Sequence, residues 1–233
     1  MRVKLILASL RLVLRHFSPW RQAKGCHSMT VLDVGCGSQS PVAALTRRLN
    51  HWLIGLDIFK PTVRRARHNG AYGDAVLGDA SCLPFQDNSF DVAVCTEVLE
   101  HLPKHEGIKL LHELERVSRW LIMVSCPIGK WDQRPRDGNP HQRHRYVWSL
   151  REMEELEFDD IKGVGLRGLS GEKWTALVNS PFGPFLRILM LLGTLVSYQW
   201  PRLGSNVFAW KEVSGAAYRP LSSPEGCIET NTR

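Results

Sequence analysis

Thr30-Val31-Leu32-Asp33-Val34-Gly35-Cys36-Gly37-Ser38-Gln39-Ser40-Pro41 is the stretch from which the fold is read. An apolar strand (Val31, Leu32, Val34) runs into a glycine-rich turn, and the turn opens a helix. Ser40 is suited to cap that helix and Pro41 to its first position. Gly35 and Gly37 let the backbone turn sharply and approach a ligand with no Cβ in the way. A nucleotide-type cofactor would sit over such a turn, at the carboxyl end of a first parallel strand. Ser40 stands where a dinucleotide fingerprint wants its third glycine, which argues against a nicotinamide or flavin site.

Downstream, Leu53-Ile54-Gly55-Leu56-Asp57-Ile58 reads as a second strand ending in an acid, 20 residues after Gly37. That is where a carboxylate for a ribose belongs. Gly78-Asp79-Ala80, Leu83-Pro84-Phe85 and the run Ser89-Phe90-Asp91-Val92-Ala93-Val94-Cys95-Thr96-Glu97-Val98-Leu99-Glu100-His101-Leu102 follow in order. Taken together, these motifs resemble the class I S-adenosylmethionine (SAM) dependent methyltransferases, in particular their small single-domain "type 11" branch. The resemblance is strong over residues 30–126 and thins out beyond.

It implies a Rossmann-like α/β fold with a seven-stranded, mostly parallel sheet and an antiparallel last strand. It also implies SAM as cofactor, with Asp33, Gly35, Cys36, Gly37, Asp57, Ile58, Asp79, Ala80, Thr96 and Glu97 around it. Asp57 has two acceptor oxygens for the two ribose hydroxyls. Asp79 would meet the adenine amino group, although Gly-Asp-Ala also makes a plain turn. Asp33 would organise the glycine turn near the methionine amino group, and Thr96 and Glu97 follow the fourth strand at the lip where methionine and acceptor meet.

A chain of 233 residues suits one well-buried domain with a small addition. Its net charge of +7 and pI near 9.3 lean towards acidic partners, although a merely soluble basic surface reads the same way. Six cysteines carry no C-x-x-C pair. They read as reduced thiols of a cytoplasmic protein, with neither a disulfide framework nor a zinc site.

Residues 1–25 mix an apolar stripe (Val3, Leu7, Leu10, Leu14, Phe17) with Arg11, Arg15, Trp20, Arg21 and Lys24. A helix in a membrane interface and a helix packed on the domain both fit. Arg11 breaks the apolar run, which argues against a signal peptide. The expected domain covers 26–213. Helices are expected over 41–49 and 61–68, from Pro103 onward with Ile108, Leu111, Leu114 and Val117 on one side, and over 148–156. Strands are expected at 53–58, 75–77, 90–95, 120–125, 161–166 and 206–211. Alternating strands and helices imply a parallel, right-handed arrangement. The arginines 64, 65 and 67 read most simply as a solvated face. Residues 181–200 are the most apolar region, yet Arg187 and Gly193 interrupt them, and the uncharged run falls short of the roughly 20 residues that span a bilayer. A buried helix, or one dipping into a membrane or an apolar substrate, is expected. Residues 214–233 are polar and predict disorder.

Methyl transfer from a sulfonium is an in-line displacement, so the protein supplies alignment and, for a hydroxyl acceptor, a base. His101 and His144 are the candidate catalytic bases. Glu97-x-x-Glu100-His101 also resembles the ubiquinone-pathway O-methyltransferases and the methyltransferases of small-RNA 3′ ends. His144-Arg145-Tyr146-Val147-Trp148 partly matches a later stretch of the RNA enzymes, with Val147 in place of an acid. There, the resemblance implies, Glu97, Glu100, His101 and His144 would hold a divalent metal; in relatives without metal the histidine packs the site, and that reading is preferred here. The stretch 137–144 with Trp148 and 165–168 resembles a bacterial subgroup associated with cell-envelope saccharides; it lies in a polar loop over 128–146 that could be a plain solvated connection, but whose length reads as a functional lid.

The expected function is SAM-dependent O-methylation of a hydroxylated acceptor, such as a lipid-linked or cell-envelope saccharide, in the cytoplasm or on the inner face of the membrane. Metal-assisted ribose 2′-O-methylation of RNA is the alternative, disfavoured because no RNA-binding module is recognisable. A SAM-binding scaffold without catalysis is the third reading.

Overall fold

The computed structural model describes residues 29–38, 40–43, 51–129, 138–167 and 183–213, apart from the side chains of residues 183, 184 and 187. The expected N-terminal helix, most of the helix over 41–49 and the C-terminal tail lie outside them. Seven strands form one sheet: β1 (Thr30–Val34), β2 (Trp52–Asp57), β3 (Asp74–Leu77), β4 (Phe90–Thr96), β5 (Ser118–Pro127), β6 (Asp160–Leu166) and β7 (Gly204–Glu212). Their order is β3-β2-β1-β4-β5-β7-β6. β3, β2, β1, β4 and β5 pair in parallel, and β7 runs antiparallel to both β5 and β6.

Every residue of β4 is buried, as expected for a central strand covered on both faces. Side chains alternate between two cores. Val31, Leu53, Val92 and Val94 face one, with Val63 and Ala66 of α1 (Lys60–His68). Leu32, Val34, Leu56, Ala93 and Cys95 face the other, with Leu110, Leu114 and Val117 of α2 (Lys104–Val117).

The helix edges differ from the sequence expectation in instructive ways. In α2 the buried stripe is Gly107, Leu110, Leu111, Leu114 and Val117, while Ile108 is half-buried. The stripe is turned because Trp148 lies against Gly107, where an added Cβ would stand 2.8 Å from its ring. Trp148 itself is buried outside any helix, and α3 spans only Leu150–Glu154. Ser149 starts it with a capping box, its hydroxyl accepting from the Glu152 amide while Glu152 accepts from the Ser149 amide. The apolar region forms α4 (Gly183–Gln199). No helix among the described residues is long and apolar enough to cross a membrane. Arg64, Arg65 and Arg67 of α1 are exposed, as a solvated face requires.

The amino edge of the sheet is locked by a buried ion pair, Arg119 Nη1 to Asp91 Oδ1 at 3.0 Å. The other Asp91 oxygen accepts from the Thr30 amide at 2.8 Å and from its hydroxyl at 3.0 Å.

Candidate active site at the carboxyl edge of the sheet

The glycine turn leaves β1 with both glycines at positive φ, 73° for Gly35 and 54° for Gly37, a region open to glycine at little cost. The amides of Gly35 and Cys36 both donate to the Leu56 carbonyl, at 2.7 and 3.0 Å, which ties the turn to β2. A Cβ on Gly35 would meet Val98 Cγ2 at 2.1 Å, whereas one on Gly37 would meet nothing within 4 Å. Gly35 thus serves close packing, and Gly37 leaves open space above the turn. The Ser40 hydroxyl accepts from the Val42 amide at 3.0 Å, capping the helix that begins at Pro41.

Asp57 ends β2 and reaches back to the turn. Its Oδ2 accepts from the Gly37 amide at 2.9 Å and its Oδ1 from the Phe59 amide at 2.8 Å. Each carboxylate oxygen has two lone pairs, so both can still take a hydroxyl. Ile58 lies just beyond the strand, 45% exposed, beside that carboxylate and available to an apolar ring face. Asp79 is exposed and its Oδ1 accepts from the amide and hydroxyl of Ser81, at 2.8 and 2.9 Å, with Ala80 half-buried between them. This is the turn geometry that a Gly-Asp-Ala stretch also allows. The Cys36 thiol points away from the open side into the core beneath Gly55, so only its backbone faces the turn's outer surface.

Asp33 lies fully buried under the turn. Its Oδ2 accepts from the Tyr72 hydroxyl at 2.8 Å, and among the described residues Oδ1 has no hydrogen-bond partner. Burial pushes its carboxyl up to about 7, only partly offset by the nearby hydroxyls of Ser40 and Tyr72, with the Asp57 charge adding to the rise. Burial also drives the Cys36 thiol and the Tyr72 phenol upward, so neither ionises near neutral pH. A buried oxygen with no partner is costly unless something else supplies a donor. The turn, Asp57 and Asp33 therefore fit a cationic ligand that carries a ribose, and SAM is one.

The second half of the site grows from the end of β4. Thr96 is buried, and Glu97 follows at φ 58°, a conformation rare outside glycine. It is held there from two strands. The Asn206 amide of β7 donates to Glu97 Oε1 and Oε2 at 3.0 and 3.1 Å, and Ser125 Oγ of β5 donates to Oε1 at 3.1 Å. Glu100 is buried one short turn later, its Oε2 without a partner among the described residues, and burial, then the Glu97 charge, raises its carboxyl well above the ordinary range. The amides of Arg145 and Tyr146 donate to the Glu100 carbonyl at 2.8 and 3.2 Å, and Trp148 Nε1 to the Leu99 carbonyl at 3.1 Å.

These bonds bring the distant loop onto the β4 turn. His101 and His144 meet edge to face with ring centroids 5.0 Å apart. His101 Nδ1 lies 3.2 Å from the Arg143 carbonyl. A carbonyl only accepts, so Nδ1 carries the proton and Nε2 is left with a lone pair. Burial lowers the basicity of His101; the Arg143 carbonyl opposes this and His144 adds to it.

The ligand atoms of Glu100, His101 and His144 lie within 4.8 Å of one another, an arrangement a divalent ion could occupy. Glu97 is not in that group; its carboxylate accepts from Asn206 and Ser125. Asn206 and Ser125 are neighbours of the candidate site that the sequence reading does not single out. Both sit on strands, at buried positions where polar side chains need partners, and that is the available signal.

Beside this cluster, at the carboxyl ends of β5 and β6, a pocket of about 440 Å³ is lined by Ile128, Val147, Trp148, Arg151, Arg167 and Arg202, among others. It does not lie over the glycine turn. It adjoins the loop that carries His144.

Comparison with known proteins agrees with this geometry. Residues 32–119 match the methyltransferase domain family. Over 169 residues the chain is 38% identical to the phthiotriol/phenolphthiotriol dimycocerosates methyltransferase 1 of Mycobacterium ulcerans, covering 67% of this chain and 57% of that protein. It is 38% identical over 84 residues to the 24-methylenesterol C-methyltransferase 2 of Arabidopsis thaliana, covering 34% of this chain and 23% of that protein. The matched stretch is thus about a quarter to about half of these relatives' lengths. The structure of a SAM-dependent methyltransferase from Archaeoglobus fulgidus superposes with a TM-score of 0.53 at 18% identity, covering 90% of this chain and 94% of that one, and so shares the fold. With the sheet order, the glycine turn and the strand-end carboxylate of Asp57 in place, residues 32–119 form a methyltransferase domain within a class I SAM-dependent methyltransferase fold.

Proposed function

We propose that this protein transfers the methyl group of SAM to a hydroxyl of an acceptor that is apolar or carried on a lipid. One observation carries the reading: the turn held by Asp57 and the His101–His144 pair share the carboxyl edge of one sheet. Bound SAM would supply a methyl group already activated by its sulfonium. Asp57 would hold the ribose hydroxyls, and Asp33 and the backbone of Gly35 to Gly37 would receive the methionine end. His101 Nε2, with its lone pair free, would take the proton of the acceptor hydroxyl. The relatives are named for a sterol and for dimycocerosates, and a sterol is an apolar molecule that partitions into bilayers. That supports an apolar or lipid-linked acceptor over a free sugar. The buried, unpaired thiols of Cys36, Cys95 and Cys126 suit a reducing compartment and so the inner face of a membrane.

The grouping of Glu100, His101 and His144 favours a second reading, ribose 2′-O-methylation of RNA assisted by a divalent metal. Methyl transfer from radiolabelled SAM into a fractionated extract of the native host, with His144→Ala as control, separates the readings. Label in the lipid fraction that disappears in the variant is expected. Label in RNA, abolished by a chelator, would replace the first reading with the second. SAM bound but never consumed would leave a scaffold and refute both.

A further inference from the structure

An ordinary surface helix turns its apolar stripe inward and its charges outward. α4 does otherwise. Its inward stripe is made of Leu186, Gly193 and Ser197, all buried. Gly193 packs on Leu166, and a Cβ on Gly163 would stand 2.3 Å from the Ser197 carbonyl oxygen, so small residues bring the helix tight against β6. The outward side is apolar too: Phe185 is 69% exposed, Ile188 59%, Leu192 53% and Leu195 59%, with Leu189, Leu191 and Val196 also exposed. At about 100° per residue these seven positions cover nearly half of the helix circumference. Residues 183–203 contain no acidic side chain. Soluble monomers rarely leave so broad an apolar face in contact with water.

The position of α4 gives that face a direction. Gly193 meets Leu166 near the end of β6 and Ser197 meets Gly163 earlier in it, so the helix runs antiparallel to the strand. Its first half therefore extends past the carboxyl edge of the sheet, the edge that carries the site. Beyond the helix the chain passes Pro201 beside Gly163 and returns along β6 through Trp200 (61% exposed), Arg202 and Leu203 to the start of β7, opposite Leu166 at the carboxyl end of β6. The Arg167 amide donates to the Leu203 carbonyl at 2.8 Å, which sets Arg167 beside this end. Both arginines are exposed, and neither guanidinium has a carboxylate partner among the described residues. Both also line the pocket next to the His144 loop.

We propose that the outward face of α4 is a monotopic docking surface for an anionic phospholipid bilayer. The seven apolar side chains enter the acyl boundary, Trp200 lies at headgroup level, and Arg167 and Arg202 meet lipid phosphates. An apolar helix face with interfacial tryptophan and a basic rim is the composition such surfaces use. Docked in this way, the pocket opens at the membrane surface, where a lipid-borne acceptor would be presented. The surface deepens the function proposed above but stands on its own observations.

The test uses the full chain and three forms: wild type, Leu192→Glu/Leu195→Glu and Arg167→Glu/Arg202→Glu. All four positions are exposed, so the variants are expected to fold, which SAM binding verifies. Each form is sedimented with vesicles of phosphatidylcholine alone and of phosphatidylcholine with phosphatidylglycerol. Wild type is expected to bind the anionic vesicles. The double leucine variant is expected to lose between about tenfold and a hundredfold in vesicle affinity. The double arginine variant is expected to lose its preference for anionic vesicles. Wild type that fails to sediment, or a leucine variant that sediments like wild type, overturns the proposal. So does a wild-type dimer that the leucine variant converts to a monomer without any vesicle binding, since a second copy would then cover the face. Unchanged SAM binding with lost vesicle binding separates failure of docking from failure of the methyltransferase reading.

Discussion

Asp33→Asn is expected to stabilise the free protein and weaken its grip on SAM. The Asp33 carboxyl ionises near pH 7 in the fold against 3.8 ordinarily, chiefly because it is buried. Between those values the folded chain keeps a proton that the unfolded chain has released. The contribution of Asp33 to stability is therefore greatest below about pH 4 and falls as pH rises towards 7, by about 1.4 kcal/mol per pH unit, up to about 4 kcal/mol in all. Asparagine has the same shape, keeps an acceptor for the Tyr72 hydroxyl and does not titrate. The variant should lose this slope and, at pH 8, unfold at higher denaturant than wild type.

The same carboxyl makes SAM binding depend on pH in the opposite sense. If the SAM ammonium is the donor that Asp33 Oδ1 lacks, binding requires the ionised form. With ionisation near pH 7, SAM affinity should rise about tenfold from pH 6 to pH 8. Close to one proton should be released per SAM bound at pH 6, and few at pH 8. Titration calorimetry in buffers of different ionisation enthalpy reads both quantities. S-adenosylhomocysteine keeps the ammonium and should release the same proton. A flat affinity profile, absence of proton release, or an Asp33→Asn variant that retains both would refute the assignment of Asp33 to the ammonium.

Asp57→Ala removes an acceptor from the Gly37 amide as well as from a ribose, and should cost between about tenfold and a hundredfold in SAM affinity by calorimetry. Gly35→Ala should destabilise by more than about 1 kcal/mol, through its positive φ and through Val98. Adding Val98→Ala should restore only the steric part, as seen in denaturant melts. Asp91→Ala leaves Arg119 buried without its carboxylate and should cost about 3–5 kcal/mol of stability by the same assay. Because Asp91 sits at the opposite edge of the sheet, SAM affinity of the folded fraction should not change. If Glu100, His101 and His144 hold a metal, elemental analysis should find about one ion per chain, lost in His144→Ala; an ion-free protein with full methyl transfer activity would eliminate the metal-assisted mechanism.

The sheet is legible in the sequence because each parallel strand is a short apolar run closed by a turn residue. Val31, Leu32 and Val34 before Gly35, and Phe90 to Thr96 before Glu97, show this plainly. The antiparallel insertion of β7 is legible only through family resemblance, since nothing in Asn206-Val-Phe-Ala-Trp-Lys211 specifies its partners. The helix expected over 148–156 is too long because the sequence pattern makes Trp148 a helical residue. Its indole instead goes into the core and donates to Leu99, a contact 49 residues away along the chain. The meeting of His101 and His144 is open to sequence only as a pair of candidates. What joins them is a set of backbone bonds from Arg145 and Tyr146 to Glu100, and backbone groups carry no residue identity. The family resemblance groups Glu97 with the candidate metal ligands, yet Asn206, 109 residues on, holds its carboxylate.

The two edges of the sheet treat their buried carboxylates differently, and this difference supports a ligand site at the carboxyl edge. At the amino edge Asp91 is fully partnered by Arg119 and Thr30. At the carboxyl edge Asp33 and Glu100 each keep an oxygen with no partner among the described residues, and burial raises both. A fold selected for stability alone would have satisfied or removed these groups, because a buried acceptor without a donor is costly. Both orphaned oxygens stand where ligands would arrive: one beneath the glycine turn, the other beside the two histidines. The chain thus gives up stability where a cation can restore it, the ammonium of SAM at Asp33 and a metal ion or an acceptor's proton at Glu100. Binding should accordingly stabilise the protein more as pH rises towards neutrality, and Asp33→Asn should abolish that coupling.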